Sequence, residues 1–290
     1  MIETVVDEVL RKMESITNEG IKAADDYTDA DTGLLICGQC RTRKQKKISF
    51  LGEERIVGCL CRCAAEKLEK EREEYRVKEE LLNIQKMKSA GLQDRTFYNY
   101  TFDRCDASQE NAVYAKRYVE HFPEMVQTGQ GLLFWGNVGT GKTFLAGCIA
   151  NALLEQKIPV LMTSFLKILN ALGGLYSSER NEYLASLNRY TLLVIDDMGI
   201  ERESQYTVET IYTVIDERYK SGKPFIITTN IQLDALKNPQ DVEHARIYDR
   251  IMERCMPVYF GSRNYRSELG QENRDAAKKV LTGAADNGRF

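Results

Sequence analysis

Gly131-Leu-Leu-Phe-Trp135-Gly136-Asn137-Val138-Gly139-Thr140-Gly141-Lys142-Thr143-Phe144 carries the most specific pattern in this chain. Residues 136–143 fit G-x-x-x-x-G-K-[ST], the loop that wraps the phosphates of a nucleoside triphosphate. The apolar run 131–135 predicts a buried strand entering the loop, and residues 144–154 predict a helix leaving it. Gly136, Gly139 and Gly141 let the backbone turn tightly, so that successive N–H groups and the positive helix end face the phosphates. Asn137, Val138 and Thr140 complete the loop and Phe144 opens the helix, which makes the whole run a candidate nucleotide contact. Lys142 is expected at the terminal phosphates and the Thr143 hydroxyl on magnesium.

A second motif follows where the first requires one. Leu192-Leu-Val-Ile-Asp196-Asp197 is an apolar run ending in two carboxylates. In a parallel nucleotide-binding sheet, ligands sit beyond the carboxyl ends of the strands. Asp196 is therefore expected to hold magnesium, and Asp197 to stand where a base could polarise attacking water. The surrounding sequence alternates strand and helix patterns. Strands are predicted at 157–163 and 223–230, and helices at 164–172 (opened by a Ser164 cap), 182–188 and 204–220. Repeated βα units imply a parallel sheet with helices on both faces. Asn230, ending a strand beside the acidic one, is placed to orient water between Asp197 and the terminal phosphate. The alternative use, a turn cap, is compatible.

The 290 residues, 43% apolar, suffice for one good-sized core and a smaller module. A net charge of −3 excludes a polycation, so any contact with nucleic acid must come from a local patch. No apolar run is long enough to span a bilayer. The opening MIETVVDEVLRKMES is amphipathic and acidic, unlike a secretory signal. Eight cysteines without such a signal point to metal or free thiols and to a cytoplasmic chain.

Charge divides the first 90 residues. Residues 1–33 carry nine acids and three bases, residues 34–63 seven bases and two acids, and residues 64–90 seven of each without Gly or Pro. The last run reads as a solvated helix with i,i+4 ion pairs, a connector ending at Gly91. Before it, Cys37-Gly-Gln-Cys40 and Cys59-Leu-Cys61-Arg-Cys63 flank a segment of hairpin length. Two close cysteine groups so separated match a structural zinc site. Cys37, Cys40, Cys61 and Cys63 are the favoured ligands, with Cys59 an open alternative for one of the later pair. Cys105, Cys148 and Cys255 read as small core residues. The basic run Arg41–Lys47 is either a surface for an acidic partner or nucleic acid, or a solubilising hairpin tip. Farther on, Arg246, Arg250 and Arg254 recur every four residues on one helix face. They offer either a charged surface or an arginine for a neighbouring subunit's nucleotide. Arg266, after the short strand 257–260, is a candidate contact to the nucleotide of its own chain.

Taken together, GLLFWGNVGTGKT, LLVIDDMG, PFIITTN, DRIMER and NYR resemble AAA+ ATPases of the DnaC/DnaI helicase-loader family, relatives of the IstB-like ATP-binding proteins. The resemblance covers about residues 91–266, and the cysteine-rich segment resembles the zinc-binding domain of such loaders. It implies three parts: an N-terminal helicase-interaction domain (1–90), an AAA+ ATPase domain (91–266) and a C-terminal tail (267–290). The expected fold is an α/β P-loop NTPase with a parallel sheet and helices on both faces, preceded by a small zinc module and a connecting helix. By position, the resemblance assigns residues 136–143 to the phosphate loop, Asp196 and Asp197 to the acidic motif, and Asn230 to the sensor. Arg250 becomes the finger in trans and Arg266 the second sensor. The implied cofactors are ATP/ADP, Mg2+ and Zn2+. The implied partners are a hexameric replicative helicase, single-stranded DNA held near helix 164–172, and further copies of the chain across the ATP site. Asp197 stands where the wider AAA+ pattern has glutamate, which implies slow turnover, and Glu201 is a weaker compensating candidate. The other readings are an IstB-like transposition helper and a zinc-dependent binding module with structural ATP.

Overall fold

The computed structural model describes residues 22–50, 52–105, 110–199, 204–261 and 263–282. The acidic opening segment through residue 21, Glu201 and the end of the chain from Gly283 lie outside them. Two compact units divide at Leu82/Asn83.

In the first unit, β1 (Tyr27–Thr28) pairs antiparallel with β2 (Leu35–Ile36), and β3 (Gln45–Phe50) pairs antiparallel with β4 (Glu53–Gly58). The second pair is the hairpin expected between the cysteine groups, with Gly52 at its turn at φ +84°. Helix α1 (Arg62–Gly91) begins at the last cysteine. Its charges pair along its exposed surface, Arg62 with Glu66 and Lys67 with Glu71 one turn on, and Arg76 with Glu73. Such exposed pairs contribute only tenths of a kcal/mol each.

The second unit begins its regular elements with two 3-10 turns (Arg95–Asn99 and Phe102–Arg104) and helices α2 (Glu110–Glu120) and α3 (Phe122–Thr128). The βα succession then runs β5 (Gly131–Gly136), α4 (Lys142–Glu155), β6 (Val160–Ser164), α5 (Phe165–Gly173) and α6 (Ser177–Leu187). It continues through β7 (Leu192–Met198), α7 (Gln205–Lys220), β8 (Phe225–Thr229), α8 (Leu233–Lys237), α9 (Val242–Arg254), β9 (Cys255–Phe260) and α10 (Tyr265–Thr282). The five strands from β5 onward form one parallel sheet in the order β6-β7-β8-β5-β9. Alternate side chains enter opposite layers, as strand geometry requires. Leu132, Phe134, Leu192 and Val194 join the layer with α4, while Leu133, Leu193 and Ile195 join the layer with Phe165, Ile168 and Ile215. Both faces are therefore covered, which explains why the strands read as unbroken apolar runs. Ser267 to Thr282, the first part of the segment read in sequence as a polar tail, lie in α10.

Arg218 is buried at 1% exposure and anchors the amino ends of two strands. Its guanidinium donates to the carbonyls of Tyr190 (2.9 Å), Thr191 (2.8 Å) and Pro224 (2.6 Å). Burial pulls its pKa down to about 10, so it stays charged at neutral pH. Arg218→Met would fill much of the space while leaving three carbonyls without their donor. We expect a loss of about 3–5 kcal/mol and a melting temperature lower by roughly 10 °C, measured by circular dichroism.

Candidate functional site

The carboxyl ends of β5, β7 and β8 meet at a cavity of about 600 Å³. Gly139, Lys142, Thr143, Asp197, Asn230 and Arg266 all line it, although they come from four separate segments. The loop after β5 depends on its glycines. Gly136, Gly139 and Gly141 have φ of +121°, +79° and +92°, where a side chain is strained. A Cβ on Gly139 would also stand 2.3 Å from Asn264 Oδ1. The loop closes on itself through the Thr140 hydroxyl, which donates to the Asn137 carbonyl at 2.7 Å. The Asn137 amide is tied to the Phe260 carbonyl at 3.0 Å.

Lys142 Nζ donates to the carbonyls of Gly136 (3.0 Å) and Asn137 (2.6 Å). Burial pulls its pKa down, against the opposing pull of Asp197 and Asp196. A ligand bearing negative charge would relieve that desolvation. Asp196 is 8% exposed and sits behind the cavity wall. Its carboxylate accepts from the Thr228 hydroxyl at 2.7 Å and is hydrogen-bonded by Thr143. Burial is the main cause of its raised pKa, with repulsion from Asp197 adding to it. An oxygen donor set of Thr143 and a buried, destabilised carboxylate suits a hard divalent cation such as magnesium.

Sequence reasoning missed part of the cavity wall. Tyr100 and Arg104 come from the segment before α2, and Arg263, Glu268 and Glu272 from the start of α10. Tyr100 packs on Phe144 with ring centroids 5.2 Å apart. Arg263 forms a bidentate pair with Glu268 at 2.8–2.9 Å. No local pattern marks these residues, because only the tertiary fold brings their segments together.

The three arginines of α9 differ in environment. Arg250 pairs with Asp216 at 2.8 Å and lies over the rings of Tyr212 and Tyr219 at 4.9 and 5.7 Å. Arg254 lies over Tyr219 at 4.8 Å and donates to the Thr128 carbonyl. Arg246 is exposed. Glu253 accepts from the Tyr219 hydroxyl at 2.8–2.9 Å. Arg250 and Arg254 thus help hold the fold, and neither lines the cavity of its own chain.

In the first unit, the sulfurs of Cys37, Cys40, Cys61 and Cys63 lie within 4.8 Å of one another. Cys63 Sγ is 3.6 Å from Cys37 Sγ and 3.4 Å from Cys61 Sγ. Four sulfurs around a tetrahedral zinc stand about 3.8 Å apart, so the donor set fits such an ion. Cys59 Sγ turns away, 3.6 Å from the Arg43 carbonyl. The turn at Cys37-Gly38 needs its glycine, since a Cβ would stand 2.0 Å from the Asp25 carbonyl oxygen. The Asp26 carboxylate secures this turn through Lys44, the Ala23 amide and the Gly38 amide. The Thr42 hydroxyl is the main cause that pulls the Cys40 thiol down to about 5, while the neighbouring thiols Cys61, Cys40 and Cys37 push Cys63 up to about 12. Four crowded thiols cannot all ionise alone, and a divalent cation among them removes that conflict. The cluster could therefore hold zinc. Cys105 and Cys148 are in contact at 3.8 Å beside α4, and Cys255 is buried.

The parallel sheet, the glycine loop and the paired carboxylates define a P-loop domain of the AAA+ type. The chain belongs to the family of IstB-like ATP binding proteins, whose model matches residues 45–273. It is homologous to the replicative helicase loader DnaC of Escherichia coli strain K12, with 29% identity over 181 residues, 61% of this chain and 71% of that protein. It is likewise homologous to the replicative helicase loader DnaI of Bacillus subtilis strain 168, with 26% identity over 194 residues, 62% of each. Two crystal structures show the same fold. One is of DnaI (TM-score 0.50, 24% identity, 60% of this chain and 94% of that one). The other is domain III of the Thermotoga maritima replication initiation protein DnaA (TM-score 0.52, 20% identity, 65% and 92%). Among the described residues, no helix is long and apolar enough to cross a membrane.

The α9 geometry separates packed from exposed arginines. Arg250→Ala removes a partly buried ion pair and two ring contacts, and is expected to cost about 1–2 kcal/mol. Arg246→Ala should change stability by less than about 0.5 kcal/mol. Urea unfolding of both variants checks the contrast.

Proposed function

We propose that the chain is an ATP-switched loader of a hexameric replicative helicase. ATP would lie with its terminal phosphates against Lys142 and the amides of residues 137–143. Magnesium, held between Thr143 and Asp196, would offset the phosphate charge. Asp197 would polarise the attacking water and Asn230 would orient it. Arg266, at the start of α10, would report the state of the terminal phosphate. The observation that carries the reading is the convergence of the glycine loop, the acidic strand end, Asn230 and Arg266 on one cavity, in a chain that also holds a four-thiol cluster. The homology to DnaC and DnaI supplies the partner class.

Hydrolysis would be slow, with the enzyme acting as a weak ATPase. Copies would assemble across the ATP site with an α9 arginine reaching the neighbour's nucleotide. Arg250 would have to leave Asp216 to do so, whereas the exposed Arg246 one turn earlier would not. The assembly would hold single-stranded DNA, with α5 as its nearest candidate surface. Zinc on Cys37, Cys40, Cys61 and Cys63 would shape the module that grips the helicase. The match to the IstB-like model also favours a second reading, an ATP-dependent transposition helper, which requires no affinity for a helicase.

Capture of the host replicative helicase by immobilised protein, with and without ATP and magnesium, decides between them. The intact protein should capture helicase and carry about one zinc per chain. Cys37→Ser should lose the zinc and at least about nine-tenths of the capture, while Cys59→Ser keeps both. Lys142→Ala should lose ATP binding by about tenfold or more, keep the capture and fail to release the helicase. If the zinc-loaded protein captures no helicase yet stimulates a transposase, the second reading holds. A Lys142→Ala protein that both captures and releases normally would reduce ATP to a structural role.

A further inference from the structure

The end of β7 is not a regular strand. Ile195 pairs with Ile227 and Met198 with Thr229, so the two acids Asp196 and Asp197 stand opposite the single residue Thr228. Two residues against one is a β-bulge, a device that re-aims side chains at the end of a strand. In a regular strand adjacent side chains point to opposite faces, and Asp196 and Asp197 could not both serve one ligand. Here Asp197 takes φ +55°, one of three positive values among the described non-glycine residues. That conformation is strained for a residue with a Cβ, and it persists only where the surroundings hold it.

Thr228 is what holds it. The bulge leaves the Asp197 amide without a strand carbonyl, and this N–H donates to Thr228 Oγ1 at 2.9 Å. The same hydroxyl donates its proton to Asp196 Oδ1 at 2.7 Å. Thr228 is completely buried, so water does not compete for either bond. Valine would serve the strand and the core equally well. The hydroxyl is needed for the two acids alone. The next residue extends the arrangement: Thr229 Oγ1 donates to the Met198 carbonyl at 2.8 Å and accepts from the Ile231 amide at 3.1 Å.

We infer that Thr228 is a positioning residue, whose single hydroxyl fixes the bulge and thereby sets both Asp196 and Asp197 toward the nucleotide. The inference rests on the nucleotide site proposed above. Thr228→Val removes both bonds at nearly constant volume, and Thr228→Ser retains both. Two measurements are made on the full-length protein: steady-state ATP turnover, and the magnesium concentration for half-maximal ATPγS binding, followed by the fluorescence of Trp135, the one tryptophan of the chain. With Thr228→Val, turnover should fall about tenfold to a hundredfold and the magnesium requirement should rise several-fold, as for loss of a group orienting a metal ligand. The magnesium-saturated affinity for ATPγS should stay within about threefold, and Thr228→Ser should restore both measurements to within about threefold. Thr228→Val with unchanged turnover and magnesium dependence overturns the inference. So does a melting temperature that drops equally in both variants with no rescue by serine, which would mark a purely structural residue. Failure of the unaltered protein to bind ATPγS would instead strike the nucleotide site itself.

Discussion

The two ends of strand β5 lie closer to its neighbours than any side chain would allow, and the rest of the ATP-binding unit is arranged around this strand. A Cβ on Gly131 would stand 1.8 Å from the Phe225 carbonyl oxygen, and one on Gly136 would stand 2.3 Å from that of Phe260. The strand is therefore glycine at each end, and β8 and β9 approach it fully. Ring contacts between Phe134 and Phe260 (4.9 Å) and between Trp135 and Tyr259 (4.6 Å) fix the β9 side. Because β5 is held at both edges, the loop it launches starts from a rigid point, and α4 begins one turn beyond it. Precision of this kind is what a preorganised electrostatic site requires.

The charges at that edge are set against one another without being satisfied. Lys142 and Asp196 are both buried, and burial shifts each toward its neutral form, the lysine downward and the aspartate upward. Their folded pKa values have opposite consequences for stability. The fold without ligand gains stability as pH falls through the raised Asp196 value, and it gains stability as pH rises through the lowered Lys142 value. In the fold, the charged form of each group is held at a cost. Anionic phosphate beside the lysine and a divalent cation beside the carboxylate would remove both costs together. Binding of the two should accordingly be mutually supportive.

Local patterns made much of this legible in the sequence. Strands β5, β7 and β8 and helices α4, α5 and α7 lie within a few residues of where apolar periodicity and the Ser164 cap predict them. The hairpin between the cysteine groups was legible too, because Gly52 marks its turn. Features that depend on distant contacts were not. The i,i+4 spacing of Arg246, Arg250 and Arg254 puts them on one face but says nothing of Tyr212, Asp216 and Tyr219, which α7 brings against two of them. Tyr100, Arg104 and Glu272 carry no motif, and reach the cavity only through the tertiary fold. The bulge is the hardest case. Ile195-Asp196-Asp197-Met198 reads as a plain strand end, and only pairing with β8 shows that one residue has been added.

That added residue bears on the chemistry. Aspartate at 197 is one methylene shorter than the glutamate of the wider AAA+ pattern, so its carboxylate reaches less far from the main chain. A bulge advances the backbone itself, and a left-handed φ rotates the side chain toward the ligand side. The compensation lies in the main chain, and its cost of about 1–3 kcal/mol is met by bonds that only a buried hydroxyl on the adjacent strand can supply. The placing of the carboxylate at 197 is then a property of the β7–β8 pairing as much as of the residue itself.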